Sequence, residues 1–321
     1  MICPHGTLLV VVGPTAVGKT DISVHVARRL GGEIVSADSR LVYRLMDIGT
    51  AKPDAKTRAE IPHHMIDVAF PDRQYTAKEY EVEARKVIGE ILGRKRVPIV
   101  VGGTGLYVRA LLKGIFEGPS ADKALRASLE DAARRDGPEV LWRKLAEVDP
   151  EKARQIGPAN VQRIIRALEV FDLTGSPMSS LEKKSEPFGL PSIKIGLMRK
   201  RPDLYQRIEQ RVDRMVELGL LDEVRGLVGR GYGQSAVVRN SLGYREVMLY
   251  LEGAIPLHEA VRLMKRSTRN FAKRQMTWFA REPDVAWIDP TGREDHETVA
   301  GEICTIYESA SEANRPQSQV P

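Results

Sequence analysis

Gly13-Pro14-Thr15-Ala16-Val17-Gly18-Lys19-Thr20 follows directly on the apolar run Leu8-Leu9-Val10-Val11-Val12. The spacing fits G-x-x-x-x-G-K-[ST], and five consecutive apolar residues ahead of it read as a strand buried on both faces of a parallel sheet. The flanking glycines let the chain bend so that successive backbone N–H groups share one cavity, and a helix beginning near Lys19 turns its positive end to the same place. A phosphate chain belongs there. Lys19 supplies a point charge, and the Thr20 hydroxyl suits a magnesium ion that bridges phosphate oxygens. The motif leaves open which phosphorylated molecule it holds.

Outward from this loop, apolar runs at 33–35, 64–68, 98–101, 193–197 and 285–288 alternate mostly with helical spacing. That alternation predicts an α/β fold, a phosphate-loop-containing parallel sheet core wrapped by helices. Between about 117 and 191 no strand is expected; 124–135, 139–147 and 160–174 carry helical periodicity instead. This stretch reads as a helical insertion domain, with the core at 1–116 and 192–290. Residues 175–191, rich in Ser, Pro, Gly and Lys, read as an exposed connection, and 309–321 as a disordered tail. Amphipathic helices are expected at 203–218 and about 256–280.

With 42% hydrophobic residues over 321 positions the chain can bury a core, and its net charge of +6 favours an anionic partner. Only two cysteines occur, Cys3 and Cys304, which excludes a disulfide framework or cysteine zinc site and points to a reducing, cytoplasmic setting. The N-terminal apolar run is too short for a signal peptide, and no segment approaches membrane-spanning length, so neither export nor embedding is expected. From 262 to 281 there are seven basic residues (Arg262, Lys265, Arg266, Arg269, Lys273, Arg274, Arg281) and no acidic one. Arg262, Arg266, Arg269 and Lys273 share a helical face that either tracks a phosphate backbone or is simply solvated. Phe271 reads as core, and Trp278 as core or as a stacking platform for a base.

In parallel sheets ligands sit beyond the carboxyl ends of strands. After the run at 33–35 comes Ser36-Ala37-Asp38-Ser39, where Asp38 is a general base, a water-mediated magnesium ligand or a helix cap. After 98–101 comes Gly102-Gly103-Thr104-Gly105, whose small residues either admit a ligand or merely turn the chain. Asp67 is a metal-binding acid or has a buried capping or turn role.

Several segments together resemble the tRNA dimethylallyltransferase (tRNA isopentenyltransferase) family, in order from residue 8 to about 282. They are residues 13–20, Ser36-Ala37-Asp38-Ser39-Arg40-Leu41-Val42-Tyr43 with Met46-Asp47-Ile48-Gly49-Thr50-Ala51-Lys52-Pro53, His63-His64-Met65-Ile66-Asp67, Gly102–Tyr107, Gln162–Val170, Arg207–Val212, Gly243-Tyr244-Arg245-Glu246 and Lys273–Trp278. The resemblance implies transfer of a dimethylallyl group from dimethylallyl diphosphate to N6 of the adenosine 3′-adjacent to the anticodon, with release of diphosphate. It implies that Gly13, Pro14, Thr15, Ala16, Val17, Gly18, Lys19 and Thr20 hold the diphosphate, with Mg2+ as cofactor on Thr20. Asp38 takes the amine proton, Thr104 orients the reacting groups, and Lys19 and Arg211, the latter one helical turn from Arg207, stabilise the leaving group. Contacts to the tRNA anticodon stem-loop are implied at Asp38, Ser39, Arg40, Leu41 and Thr104, and at Arg126. The segments Gln162-Arg163-Ile164-Ile165-Arg166, Asn240-Ser241-Leu242-Gly243-Tyr244-Arg245 and Lys273-Arg274-Gln275-Met276-Thr277-Trp278-Phe279-Ala280 complete that surface. A cytoplasmic monomer is expected. Leu41 departs from the Gln of many members, and Asn240-Ser241 from the usual pair. The rivals are a transferase acting on free adenine nucleotides, which would not need the basic helix, and a small-molecule kinase, whose loop would hold ATP.

Overall fold

The computed structural model describes residues 6–293 and 295–313; Cys3 and residues 314–321 of the expected tail lie outside them. The chain divides into two compact units, Met1–Leu112 with Gly189–Pro321, and Lys113–Phe188.

In the first unit the order is β1 (Leu8–Val12), α1 (Lys19–Leu30), β2 (Gly32–Ser36), α2 (Ala55–Glu60), β3 (His63–His64), α3 (Ala77–Gly93), β4 (Val97–Gly102) and α4 (Gly105–Lys113). The second unit holds α5 (Lys123–Asp136), α6 (Pro138–Val148), α7 (Pro150–Ile156), α8 (Val161–Thr174) and α9 (Met178–Glu182). The first unit resumes with β5 (Ser192–Leu197), α10 (Arg201–Glu217), α11 (Leu220–Gly229), α12 (Ala236–Asn240), α13 (Tyr244–Leu251), α14 (Leu257–Phe279), β6 (Val285–Ile288) and α15 (His296–Ala313).

Six strands form one sheet in the order β3-β2-β4-β1-β5-β6, every pair parallel. β1 lies inside the sheet and all five of its residues are buried, as its unbroken apolar run requires; each such side chain contributes about 1.5–3 kcal/mol by leaving water. Val12 is level with Gly102 of β4 and Gly196 of β5, and Ser36 of β2 with Val101. The loops after β1, β2, β4 and β5 therefore leave the sheet along one edge.

The expected strand at 64–68 shrinks to the pair His63–His64, followed by an isolated bridge from Tyr43 to Ala69. Met65 and Asp67 adopt φ of 61° and 58°, left-handed conformations that break an extended ladder. The tail expectation also changes: 309–313 continue α15, with Ser311 buried. In the second unit Leu129, Leu141, Leu145, Ile164, Ile165 and Leu168 form a separate core. Pro138 and Pro150 start α6 and α7, and the Asp149 carboxylate between them accepts from the N–H of Lys152 and of Ser179. α9 interrupts the stretch read as an exposed connection.

Candidate active site

The loop Gly13–Thr20 joins β1 to α1 at the carboxyl edge of the sheet. Lys19 Nζ donates to the carbonyls of Gly13 (2.9 Å) and Pro14 (2.7 Å), which leaves one of its three N–H groups for a ligand. Burial pushes the Lys19 ammonium down to about 8; Asp38 opposes that shift and Arg211 adds to it. Arg207 donates from Nε to Ala16 O (3.0 Å) and Arg211 from Nη2 to Thr50 O (3.2 Å). Burial also lowers both guanidinium values, against the pull of Asp38 and Asp21 on Arg211 and of Asp203 and Asp21 on Arg207. Arg199 also donates from Nε to Val17 O (3.0 Å) while paired with Asp203, so four cations meet the loop, of which Lys19, Arg207 and Arg211 have no acidic partner among the described residues.

These unpaired three face a cavity of about 640 Å³. Its polar wall carries Lys19, Thr20, Asp21, Lys52 and the α10 face Arg207-Gln210-Arg211-Arg214; Ile34, Leu41, Pro53, Ile66 and Val101 add apolar surface. A second cavity, of about 270 Å³, is lined by Ser39, Arg40, Asn240–Arg245, Phe271 and Arg274. Thr15, Asp38, Thr50 and Arg211 line both. Asp38 is therefore at the wall the two spaces share. Its Oδ1 accepts from the Arg40 N–H (2.8 Å), which fixes the carboxylate, and among the described residues the other oxygen has no partner. No helix follows directly, the next being α2 from Ala55, so in place of a helix cap Asp38 fixes a turn with one oxygen and faces the cavities with the other.

Thr104 lines neither cavity. Its hydroxyl accepts from the Ser39 N–H (2.9 Å) and donates to Ser39 Oγ (3.2 Å), so it buttresses the Asp38 turn. The neighbouring glycines answer to packing. A Cβ on Gly103 would lie 2.2 Å from Gln275 Nε2, and one on Gly105 2.1 Å from Trp278 Nε1, so the close approach is made by α14 and not by a ligand. Trp278 Nε1 is buried there without a hydrogen-bond partner among the described residues.

Other expected contacts are corrected by burial. Ile164 and Ile165 are core of the helical unit and Phe279 is core of the first, so their side chains are withdrawn from the surface; Ser241 and Tyr244 are buried too but line the second cavity. Gln275 is 5% exposed, and both it and Leu41 line the phosphate-loop cavity. Arg126 and Arg166 both close on Glu169, whose side chain is fully buried. Arg163, Arg266, Lys273, Arg274, Thr277 and Ala280 are exposed, whereas Arg262, Lys265 and Arg269 pair with Glu259, Asp213 and Glu209. Asp67 neither caps a helix nor groups with other acids: Lys52 and Arg58 bind its two oxygens.

Sequence reasoning missed Gln210 and Arg214, although 207, 210, 211 and 214 share one helical face beside the buried Leu204, Ile208, Val212 and Met215. It also missed Glu223 of α11, whose carboxylate accepts from the N–H groups of Asp47 (2.9 Å), Ile48 (2.7 Å) and Gly49 (3.1 Å) and from the Tyr244 hydroxyl (2.6 Å). This tether holds the segment that carries Thr50.

Among the described residues no cluster of three His, Cys, Asp or Glu could cage a metal, and no helix is long and apolar enough to cross a membrane. Thr20, Asp21 and Asp38 nevertheless bring oxygen donors to the large cavity, a set that fits a hard cation shared with phosphate oxygens and water.

The profile of the family described as "IPP transferase" matches residues 41–282. A tRNA dimethylallyltransferase of Pelotomaculum thermopropionicum is 49% identical over 305 residues, covering 94% of this chain and 96% of that protein. One from Thermotoga petrophila is 47% identical, covering 88% and 92%. Among solved structures, the full-length tRNA isopentenylpyrophosphate transferase of Bacillus halodurans superposes with a TM-score of 0.66 at 41% identity, covering 95% of this chain and 99% of that one. A eukaryotic dimethylallyltransferase acting on tRNA gives 0.77 at 28% identity, covering 99% and 82%. These relatives do not favour the free-nucleotide or kinase alternatives. With a phosphate loop, a shared-wall carboxylate and likeness over nearly its whole length, the chain belongs to the IPP transferase family.

Proposed function

We propose that this chain transfers the dimethylallyl group of dimethylallyl diphosphate to N6 of the adenosine 3′-adjacent to the anticodon in tRNA, releasing diphosphate. The observation that carries it is Asp38 at the wall common to two cavities, one built for a diphosphate and one open beside exposed basic residues. The diphosphate sits at the loop against Lys19, Arg207 and Arg211, and the apolar residues Ile34, Leu41, Pro53, Ile66 and Val101 receive the five-carbon tail. The adenine leaves its stack and enters the second cavity between Phe271 and Asn240–Arg245.

In the reaction the N6 nitrogen attacks C1 of the allyl group as the C1–oxygen bond breaks. The electron pair leaves with the diphosphate, and the amine proton goes to the unpartnered oxygen of Asp38. Lys19 and Arg211 stabilise the charge growing on the leaving oxygen. Magnesium, held by Thr20 and the diphosphate's own oxygens, would supply further positive charge there. The exposed Arg266, Lys273 and Arg274 of α14, and Arg163 with Gln162 in the helical unit, are the candidate contacts to the anticodon stem-loop. A cytoplasmic setting remains the reading of the two cysteines, and a monomer remains the expectation.

Mass analysis of tRNA nucleosides after incubation with the protein, magnesium and dimethylallyl diphosphate tests the activity; a product that forms only with ATP, or equally well on AMP, would sink it. Asp38→Ala should slow single-turnover transfer about 100-fold or more with tRNA affinity nearly unchanged. Transfer within a few-fold of the parent would leave Asp38 a turn-forming residue only.

A further inference from the structure

The side chain of Gln275 joins two loops that lie far from it in sequence. Its Oε1 accepts from the Thr15 N–H (2.8 Å) in the phosphate loop, and its Nε2 donates to Gly103 O (2.9 Å) at the end of β4. Only one orientation of the amide satisfies both partners, since the flipped group would set donor against donor and acceptor against acceptor. The neighbouring residues of α14 face elsewhere: Lys273 and Arg274 are exposed, and Arg274 and Phe271 line the second cavity. One stretch of helix thus carries the wall of the acceptor cavity and the bridge to the diphosphate loop. Beyond Gly103 the chain continues to Thr104, which fixes Ser39 and with it the Asp38 turn.

From this geometry we propose that Gln275 is a positioning residue: it locks the phosphate loop to the Gly103-Thr104 turn and so sets the spacing between the leaving diphosphate and Asp38. The role rests on the reaction proposed above. Gln275 occupies the Thr15 N–H itself, so that amide serves the bridge and the diphosphate is held by the rest of the loop. Because the bridge belongs to α14, RNA phosphates that engage Lys273 and Arg274 act on the helix that holds the donor site in register.

Two variants separate the bonds. Gln275→Glu keeps the acceptor for Thr15 and loses the donor to Gly103 O while the carboxyl is ionised; Gln275→Met loses both. With tRNA and dimethylallyl diphosphate saturating, kcat should fall about 10-fold for the first and about 100-fold for the second, the scale of small misplacements in a reacting pair. The tRNA dissociation constant should stay within about twofold of the parent. Relative to the parent at the same pH, Gln275→Glu should recover as the pH falls and its protonated carboxyl donates to Gly103 O again, whereas Gln275→Met should not. Inorganic diphosphate, titrated calorimetrically into parent and variants, should bind severalfold more weakly to Gln275→Met. That measurement needs no RNA and no turnover, so it judges the bridge even if the parent fails to prenylate tRNA. A tRNA constant raised tenfold with kcat unchanged would make Gln275 an RNA contact and overturn the proposal. A folded Gln275→Met with parental kcat and diphosphate affinity would overturn it too, and if that variant does not fold, a flat relative pH profile of Gln275→Glu has the same force.

Discussion

Around the phosphate loop Lys19, Arg207 and Arg211 rest on carbonyl oxygens of Gly13, Pro14, Ala16 and Thr50, and none is within ion-pair distance of a carboxylate among the described residues; only Arg199, on Val17 O, is paired, with Asp203. In the helical unit Arg126 and Arg166 close on one carboxylate, Glu169, and along α14 the cations Arg262, Lys265 and Arg269 each have an acidic partner. A buried cation without a counter-ion raises the energy of the empty site, and an arriving anion relieves it. A cation already paired must exchange its carboxylate for a phosphate, with little net gain. Unpaired charge therefore marks the anion site more sharply than charge density does.

The strongest way to break this comparison is at Lys19. Lys19→Ala should lower kcat/KM about 100- to 1,000-fold, the range for losing one fixed donor to a developing anion, measured by steady-state prenyl transfer. Its pH dependence is a second handle. Ammonium 19 titrates near 8 in the empty site against an ordinary 10.5. Between those values the unfolded chain holds a proton that the folded one has shed, so this group's cost to stability is full below pH 8 and fades as pH rises through the window. Diphosphate reverses the shift by restoring the charge. Its affinity should be nearly flat between about pH 7, above the phosphate ionisation, and pH 8 and should weaken above that, by up to about tenfold per unit; affinity independent of pH from 7 to 10 would mean that the ammonium is not desolvated.

Glu169→Gln tests the paired side. Removing the charge leaves Arg126 and Arg166 facing each other across a neutral amide, with an expected loss of about 2–4 kcal/mol in chemical denaturation of the helical unit. A loss under about 0.5 kcal/mol would class the cluster with ordinary surface pairs. The smallest expected effect is on α14. Arg266→Ala should reduce the slope of log tRNA affinity against log salt by about 0.7, and Arg269→Ala by much less, because Glu209 already holds that guanidinium. Equal reductions would show that pairing in the free protein does not decide which cations meet RNA.

The phosphate loop was readable because its whole function lies in eight consecutive residues after an apolar strand. Asp38 and Thr104 could be found as residues just past strand ends, but their division of labour could not. It depends on Thr104 bonding to Ser39, 65 positions away. Gln275 reaches Thr15 across 260 positions and Glu223 reaches Asp47 across 176, separations at which no local pattern exists. The motif segments misled where they were taken whole: a helix such as α8 or the end of α14 shows only part of its circumference to solvent, so Ile164, Ile165 and Phe279 went to cores.

The Glu223 tether has a chemical corollary. Three successive N–H groups converging on one centre form a receptor for any small anion, and here the chain supplies the anion itself. The protein thus carries two anion receptors in one unit and keeps one permanently satisfied. In the reaction proposed above, a diphosphate entering the cleft would meet the loop while Glu223 keeps the other receptor occupied.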